Sequence, residues 1–494
     1  MYIPLKIPPG IYRNGTEYQS SGRWYDANLV RWYENTMRPV NGWRKRFSTQ
    51  TAMSGKCRGL IAWRDNANDR WIAAGTHTKL YVMNESGTLK EITPSGFTAG
   101  IADATSYTGY GYAAYGNFAY GVQRPDLGDV VSATTWSMDT WGEYLVACSS
   151  ADGKIYEWQL GFTTPTLAAA ITNAPTGCKA VMVTADRIVF ALGAGGNPRK
   201  VAWSDQENNT VWTAAIDNLA GDYELATPGT LLAGKRVKGV NLLFTDVDVH
   251  TAQYIGAPFV YGFEKAGSGC GLISAQSVAA IDTAAIWMSS SGFWMYDGYV
   301  KPLPCDVSDY VFNDINLTQK SKIYAVHNSK FGEIWWFYPS NDSNEIDSYV
   351  TFNYREGHWN IGTLSRLAGT DAGVFTYPIM VDANGYIYEH EVGFDYDSAT
   401  LYAQSGPIEL GTGENIMNVK QVIPDEQTLG EAVVSFTSRF YPTGAESTHG
   451  PFTAANPTSV RFSGRQVEVK VTGNTLSDWR VGVMRLEATA GGRR

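Results

Sequence analysis

Histidine is scarce, with six residues in a chain of 494, so general acid–base chemistry has few candidates to draw on. Charge is sparse as well. Asp, Glu, Lys and Arg supply 18% of residues against ~25% in ordinary globular chains. The formal balance is acidic, at −9. With 44% of residues apolar, the low-hydrophobicity, high-charge signature of disorder is absent. No apolar run approaches the ~20 residues of a membrane-spanning helix, and the opening MYIPLKIPPGIYRNG has no apolar h-region. The expectation is a protein made in a reducing cytoplasm, without a signal peptide and without membrane insertion. Its five cysteines (Cys57, Cys148, Cys178, Cys270 and Cys305) form no CxxC pair. That spacing excludes the usual zinc patterns and a dense disulfide framework, and predicts free thiols.

Nucleotide and hydrolase motifs are missing too. No Walker loop, GxSxG elbow or HExxH occurs; GAGGNPRK (193–200) lacks the Gly-Lys-Ser/Thr ending, and GSGCGL (267–272) fails the GxGxxG spacing. The best enzyme-like constellation is Asp246, Asp248 and His250 in FTDVDVH, which period-2 alternation places on one strand face. Two carboxylates and an imidazole suit a divalent cation or glycoside chemistry, yet one polar face of a blade strand accounts for them more simply. SSADGKIYEW (149–158) has the wrong spacing after Asp152 for a sialidase Asp-box, and His390 points away from Glu389 and Glu391. We therefore expect no enzyme, cofactor or metal. A concentrated basic groove for nucleic acid is also absent, although an acidic, poorly adhesive surface suits a conduit past which DNA slides.

Aromatics (13%) and 51 glycines are plentiful, which favours strands and tight turns. An apolar run, a Gly/Asx/Ser turn and a Tyr/Trp-rich run recur from Trp71, Tyr144, Ile188, Asn241, Ala284, Glu333 and Pro378. The spacings are 73, 44, 53, 43, 49 and 45 residues. Periods of ~40–50 residues built from strand pairs predict propeller blades. The fold class is therefore all-β, a β-propeller-like repeat domain of about six to eight blades. Little helix is expected outside Ala-rich pieces such as TLAAAITNAP. The long first interval holds SGFTAGIADATSYTGYGYAAYGNFAYGV (95–122), whose Tyr107, Tyr110, Tyr112, Tyr115, Phe118 and Tyr120 make it a candidate channel or interface loop.

From about Ala399 strand-like runs crowd together, and RQVEVKV alternates. This predicts a β-sandwich-like module over 399–494, joined by an Arg/Trp-rich N-terminal segment (1–60) to a propeller over 61–398. Arg461, Arg465, Arg480 and Arg485 accompany Phe462 and Trp479 there, an arrangement suited to aromatic stacking or to carboxylates across an interface. Lys and Arg outnumber Asp and Glu by eight to three over residues 1–50 and by seven to three over 461–494, so the middle carries −18. Basic ends around an acidic body suggest termini that meet on one face.

GRWYDANLVRWYENTMRPVNGWRKR (22–46), TTWSMDTWGEYLVAC (134–148), FTDVDVHTAQYIGAPFVYGFEKAGSGCGLIS (244–274), WMSSSGFWMYDGYVKPLP (287–304), EIWWFYPS (333–340) and the ending VRFSGRQVEVKV…DWRVGVMRLEATAGGRR resemble the tail nozzle, or hub, proteins of short-tailed bacteriophages, also described as packaged-DNA stabilisation proteins. The resemblance implies a virion structural protein, a propeller assembled as a homo-hexameric ring below portal and adaptor. Such a ring extends the DNA channel, holds the genome until ejection and meets tail fibres or a tail needle. It transfers no catalytic residue. Arg23, Trp24, Arg31, Trp32, Trp43, Arg480 and Arg494 match its pattern positions and join the four residues above and Trp479 as candidate assembly residues. The competing reading is a carbohydrate-binding or glycan-cleaving propeller adhesin, since aromatic-rich loops stack on sugars.

Overall fold

A computed structural model describes residues 2–106, 130–161, 166–409, 415–428, 430–454, 456–473 and 476–492. Seven of its sheets are four-stranded antiparallel blades. Their inner strands are Cys57–Arg64, Trp136–Trp141, Ala180–Val183, Leu231–Val237, Val278–Ala280, Tyr324–Asn328 and Ala368–Thr370. Each lies against the next and the seventh against the first, which closes a ring. The recurring motifs of the sequence fall on the second strands, from Arg70–Thr76 to Ile379–Val381. Those strands read as apolar runs because they are enclosed on both faces: every residue of Glu333–Tyr338 is buried.

Neighbouring blades join through Trp–Gly contacts. Trp136 of blade two lies over Gly59 and Gly75 of blade one and donates its indole N–H to the Thr76 carbonyl at 2.7 Å. A Cβ at Gly75 would fall 2.4 Å from Trp136 Cγ, so substitution there forces the blades apart. Gly75→Val is expected to lower stability by about 1–3 kcal/mol, read as a lower urea midpoint at unchanged slope. An unchanged midpoint would show that the contact is dispensable.

The outermost strand of blade seven comes from the other end of the chain. Trp43–Lys45 pairs with Ile387–His390, matching Trp43 to His390 and Lys45 to Tyr388. Trp43 stacks on His390 at 5.4 Å and meets Tyr396 edge-on, and Arg44 and Arg46 both bind Glu389. The ring is thus closed by pairing across more than 340 residues. One expectation needs correction. TLAAAITNAP is not helical: Ala169–Ala170 forms the outer strand of blade two. The single α-helix among the described residues is Ser308–Asp314, between blades five and six.

Beyond blade seven two sheets face each other as a β-sandwich. One orders Trp24–Asn28, Tyr402–Ser405, Gln466–Gly473, Ala432–Arg439 and Ser447–Thr453; the other orders Tyr2–Pro4, Arg485–Ala490, Met417–Ile423 and Thr458–Gly464. The alternation of RQVEVKV puts Val467, Val469 and Val471 into the core with Phe436, Phe462 and Leu486. The N-terminal segment contributes a strand to each sheet as well as to blade seven, and Tyr2 pairs with Glu487. One apolar core runs from Leu5 through blades five to seven to Ala488.

On the opposite face of that central strand, Arg439 binds Glu468 at 2.8 Å and Glu17 at 2.7 Å. Burial, aided by Glu17 and opposed by Arg439, pushes Glu468 up to about 7. The two carboxylates titrate as a pair. A folded value above the unfolded one means stability present at low pH and lost as pH climbs toward 7. The melting temperature of Glu468→Gln should therefore rise relative to wild type between pH 5 and 8, as calorimetry can measure. Parallel curves would remove the assignment.

Candidate functional site

The structure sorts the candidate assembly residues into two groups. Trp24, Arg31, Trp32, Trp43 and Trp479 are 5, 2, 2, 5 and 0% exposed. This corrects their reading as docking residues, because they are engaged inside one chain, tying the N-terminal segment to propeller and sandwich. Arg23 is half-buried between Asp306 and the Tyr12 ring, Arg480 pairs with Asp478 at 2.9 Å, and Arg465 lies over Tyr441. Arg461 and Arg485 are exposed. Arg494 and the loop aromatics Tyr107, Tyr110, Tyr112, Tyr115, Phe118 and Tyr120 lie outside the described residues.

Arg461 and Arg485 stand on the outer face of the four-stranded sandwich sheet, flanking Met417–Ile423, on which Lys420 is also exposed. Buried Val419, Phe462 and Leu486 alternate with them on the inner face. The result is a basic sheet face on an acidic chain. Lys420 escaped sequence reasoning, though the alternation in MNVKQVI carried the signal. The outer hairpin of blade four, Asp248–Gly256 with Val260–Ser268, has strands of nine residues each. It carries Ile255 and Phe259 at 57 and 75% exposure, another feature the sequence did not single out.

A cavity of about 350 Å³ occupies the propeller axis, lined by residues of all seven blades. Gln276 bars it at one level: from blade five its amide donates to the carbonyls of Arg58 (2.6 Å) and Trp136 (2.7 Å) in blades one and two. Lys179, Lys235, Arg236 and Asp139 are among the lining residues. Close by, Ala104 exchanges backbone hydrogen bonds with the Gln319 amide, and Lys322 pairs with Asp103. These contacts anchor the short pair Thr105–Ser106 and Val130–Val131.

FTDVDVH is not one strand. Val240–Thr245 and Asp248–Gly256 are separate strands, joined by a turn in which Thr245 Oγ1 accepts from the Asp248 and Val247 amides. Asp246 therefore caps Thr230 N, whereas Asp248 is fully enclosed. Asp248 Oδ1 accepts from Thr245 (2.6 Å) and Thr227 (2.8 Å) and lies 3.2 Å from His250; Oδ2 faces Lys265 at 2.8 Å. Burial raises the Asp248 carboxyl, but Lys265, Thr245 and Thr227 outweigh it and hold it below its ordinary value. Burial pushes His250 down. Asp248 and His250 are buried in this network and Lys265 is exposed. Among the described residues no three His, Cys, Asp or Glu side chains are placed to hold a metal ion.

The five cysteines are free thiols. Burial raises Cys57 and Cys270 to about 11 and Cys178 to about 12, which keeps them protonated at neutral pH. No helix among the described residues is long and apolar enough to cross a membrane.

No protein-family model matches the chain, and no curated protein sequence matches it. Solved structures similar to it include the Pan2 WD40 domain of Neurospora crassa, at 8% identity and TM-score 0.39 over 72% of this chain and 96% of that one. Another is a catalytically inactive virginiamycin B lyase of Staphylococcus aureus with quinupristin, at 8% identity and TM-score 0.30 over 74% and 95%. A third is Hsv2 of Kluyveromyces lactis, at 9% identity and TM-score 0.34 over 71% and 94%.

Proposed function

We propose that this chain is a non-enzymatic structural protein of a short-tailed phage virion, the tail nozzle or hub. In this reading it is made in the host cytoplasm and forms a homo-hexameric ring that retains packaged DNA and conducts it during ejection. The observation that carries the reading is the basic sandwich face of Lys420, Arg461 and Arg485 on an acidic block whose two modules share one core. A rigid block with one charged docking face suits stacking on an acidic adaptor. The axial cavity, at about 350 Å³, is too small for a duplex whose major groove alone is ~12 Å wide. DNA is therefore assigned to the lumen enclosed by six subunits, and the apolar tip of the blade-four hairpin to the head-to-tail contact that closes the ring.

Electron microscopy and mass photometry of the purified protein, with and without tail components, test this. The expected result is a six-fold ring with a duplex-sized lumen. Deleting 461–494 would be a poor probe, since it removes two core strands of the sandwich, Gln466–Gly473 and Arg485–Ala490, and cuts Thr458–Gly464 short. The double reversal Arg461→Glu with Arg485→Glu leaves the core intact and is expected to cut incorporation into tails about tenfold or more. A folded wild-type protein that stays monomeric and out of tails, and binds glycans instead, would move the assignment to the adhesin reading.

A further inference from the structure

The geometry points to the axial cavity as a binding site for a small polyanion of pyrophosphate size, held between Lys179 on one side and Lys235 with Arg236 on the other. The volume, about 350 Å³, lies within the ~300–1,000 Å³ of small-molecule sites. Three cations and one carboxylate, Asp139, line it, so the cavity is net positive inside a chain of net charge −9. The carboxylate is already committed. Asp139 accepts from the Thr140 and Val183 amides at 2.8 Å each, and Arg236 approaches it only to 3.7 Å.

Among the described residues the ammonium groups of Lys179 and Lys235 have no hydrogen-bond or ion-pair partner. Lys179, Lys235 and Arg236 are all exposed to solvent, so their charges can be reached by a ligand that enters the cavity. Cations gathered around one concave cavity focus a field that a compact polyanion neutralises. Gln276 crosses the cavity at one level, with its amide nitrogen committed to the Arg58 and Trp136 carbonyls, so the cations alone would hold the anion. The site needs neither ring nor duplex, so its failure would leave the conduit proposal standing.

Calorimetric titration of the full chain with sodium pyrophosphate tests it. The expected result is one-to-one binding that weakens with added salt. It should weaken about tenfold or more in Lys235→Gln, further in Lys179→Gln with Lys235→Gln, and little in Lys235→Arg. Without ligand, Lys235→Gln should keep the wild-type melting temperature, because the side chain it replaces is exposed. This separates lost binding from lost folding. No heat and no melting shift at millimolar pyrophosphate, or equal affinity in the doubly substituted protein, would overturn the proposal.

Discussion

Replacing Arg31 by methionine is expected to lower stability by about 3–5 kcal/mol, a fall of roughly 3–5 °C in melting temperature for a chain this large. The guanidinium is 2% exposed. It donates to Glu391 through both terminal nitrogens (2.8 and 2.5 Å) and to Glu333 at 2.9 Å, and lies 3.8 Å over the Phe331 ring. Asn328 and Trp335 add donors to the same carboxylates. Methionine fills the volume but leaves two enclosed carboxylates without their cation. Burial already pushes Glu333 above its ordinary value, and without Arg31 it loses the cation that opposes this. Its folded value then sits further above the unfolded one, so the variant should be most stable at acid pH and lose stability as pH rises. Adding Glu333→Gln and Glu391→Gln should restore much of the loss. A melting temperature within experimental error of wild type at pH 8 would show that the cluster contributes nothing net.

Removing residues 1–46 is expected to abolish cooperative folding of both modules. The segment supplies the closing strand of blade seven and one strand to each sandwich sheet. It buries Trp24, Leu29, Val30, Trp32, Met37, Val40 and Trp43 at 5% exposure or less. At ~1.5–3 kcal/mol per large apolar side chain, these seven side chains contribute on the order of 10–20 kcal/mol. That matches or exceeds the ~5–15 kcal/mol by which whole domains are stable. Deleting only the first five residues removes the short edge strand Tyr2–Pro4 and should leave the near-UV circular dichroism of the propeller intact. The longer deletion should aggregate or lose that signal. A soluble, sharply melting product would show that the ring closes without its borrowed strand.

Local pattern carried much of this architecture. Second strands such as EIWWFY are enclosed on both faces, so their apolar runs and following turns are legible from composition alone. RQVEVKV declares its apolar face in the same way, with Val467, Val469 and Val471 in the core. Pairing between distant segments is not legible. Trp43–Lys45 has three residues, too few for a period, and its partner strand ends at His390. Arg31 reads as a surface charge in VRWYEN because its carboxylates stand 302 and 360 residues away. FTDVDVH alternates like a strand, but Thr245 and Asp248 satisfy one another and fold the chain back between them. The basic sheet face was half visible: the arginines drew notice, whereas Lys420 on the strand between them did not.

The pairing of Tyr2 with Glu487 and of Trp43 with His390 also fixes when the molecule can be finished. A ribosome adding ~5–20 residues per second needs roughly half a minute or longer to make the remainder after residue 46. Throughout that interval the seven side chains of the opening segment lack their distant partners and have only one another, as in the Trp24–Trp32 contact and the Val30–Pro39 hairpin. Early blades stack as they emerge, but the circle stays open and the sandwich lacks both sheets until the last strand leaves the exit tunnel. For that period the nascent chain holds a sticky leader short of its distant partners, which makes its first forty-six residues the natural client of a holding chaperone.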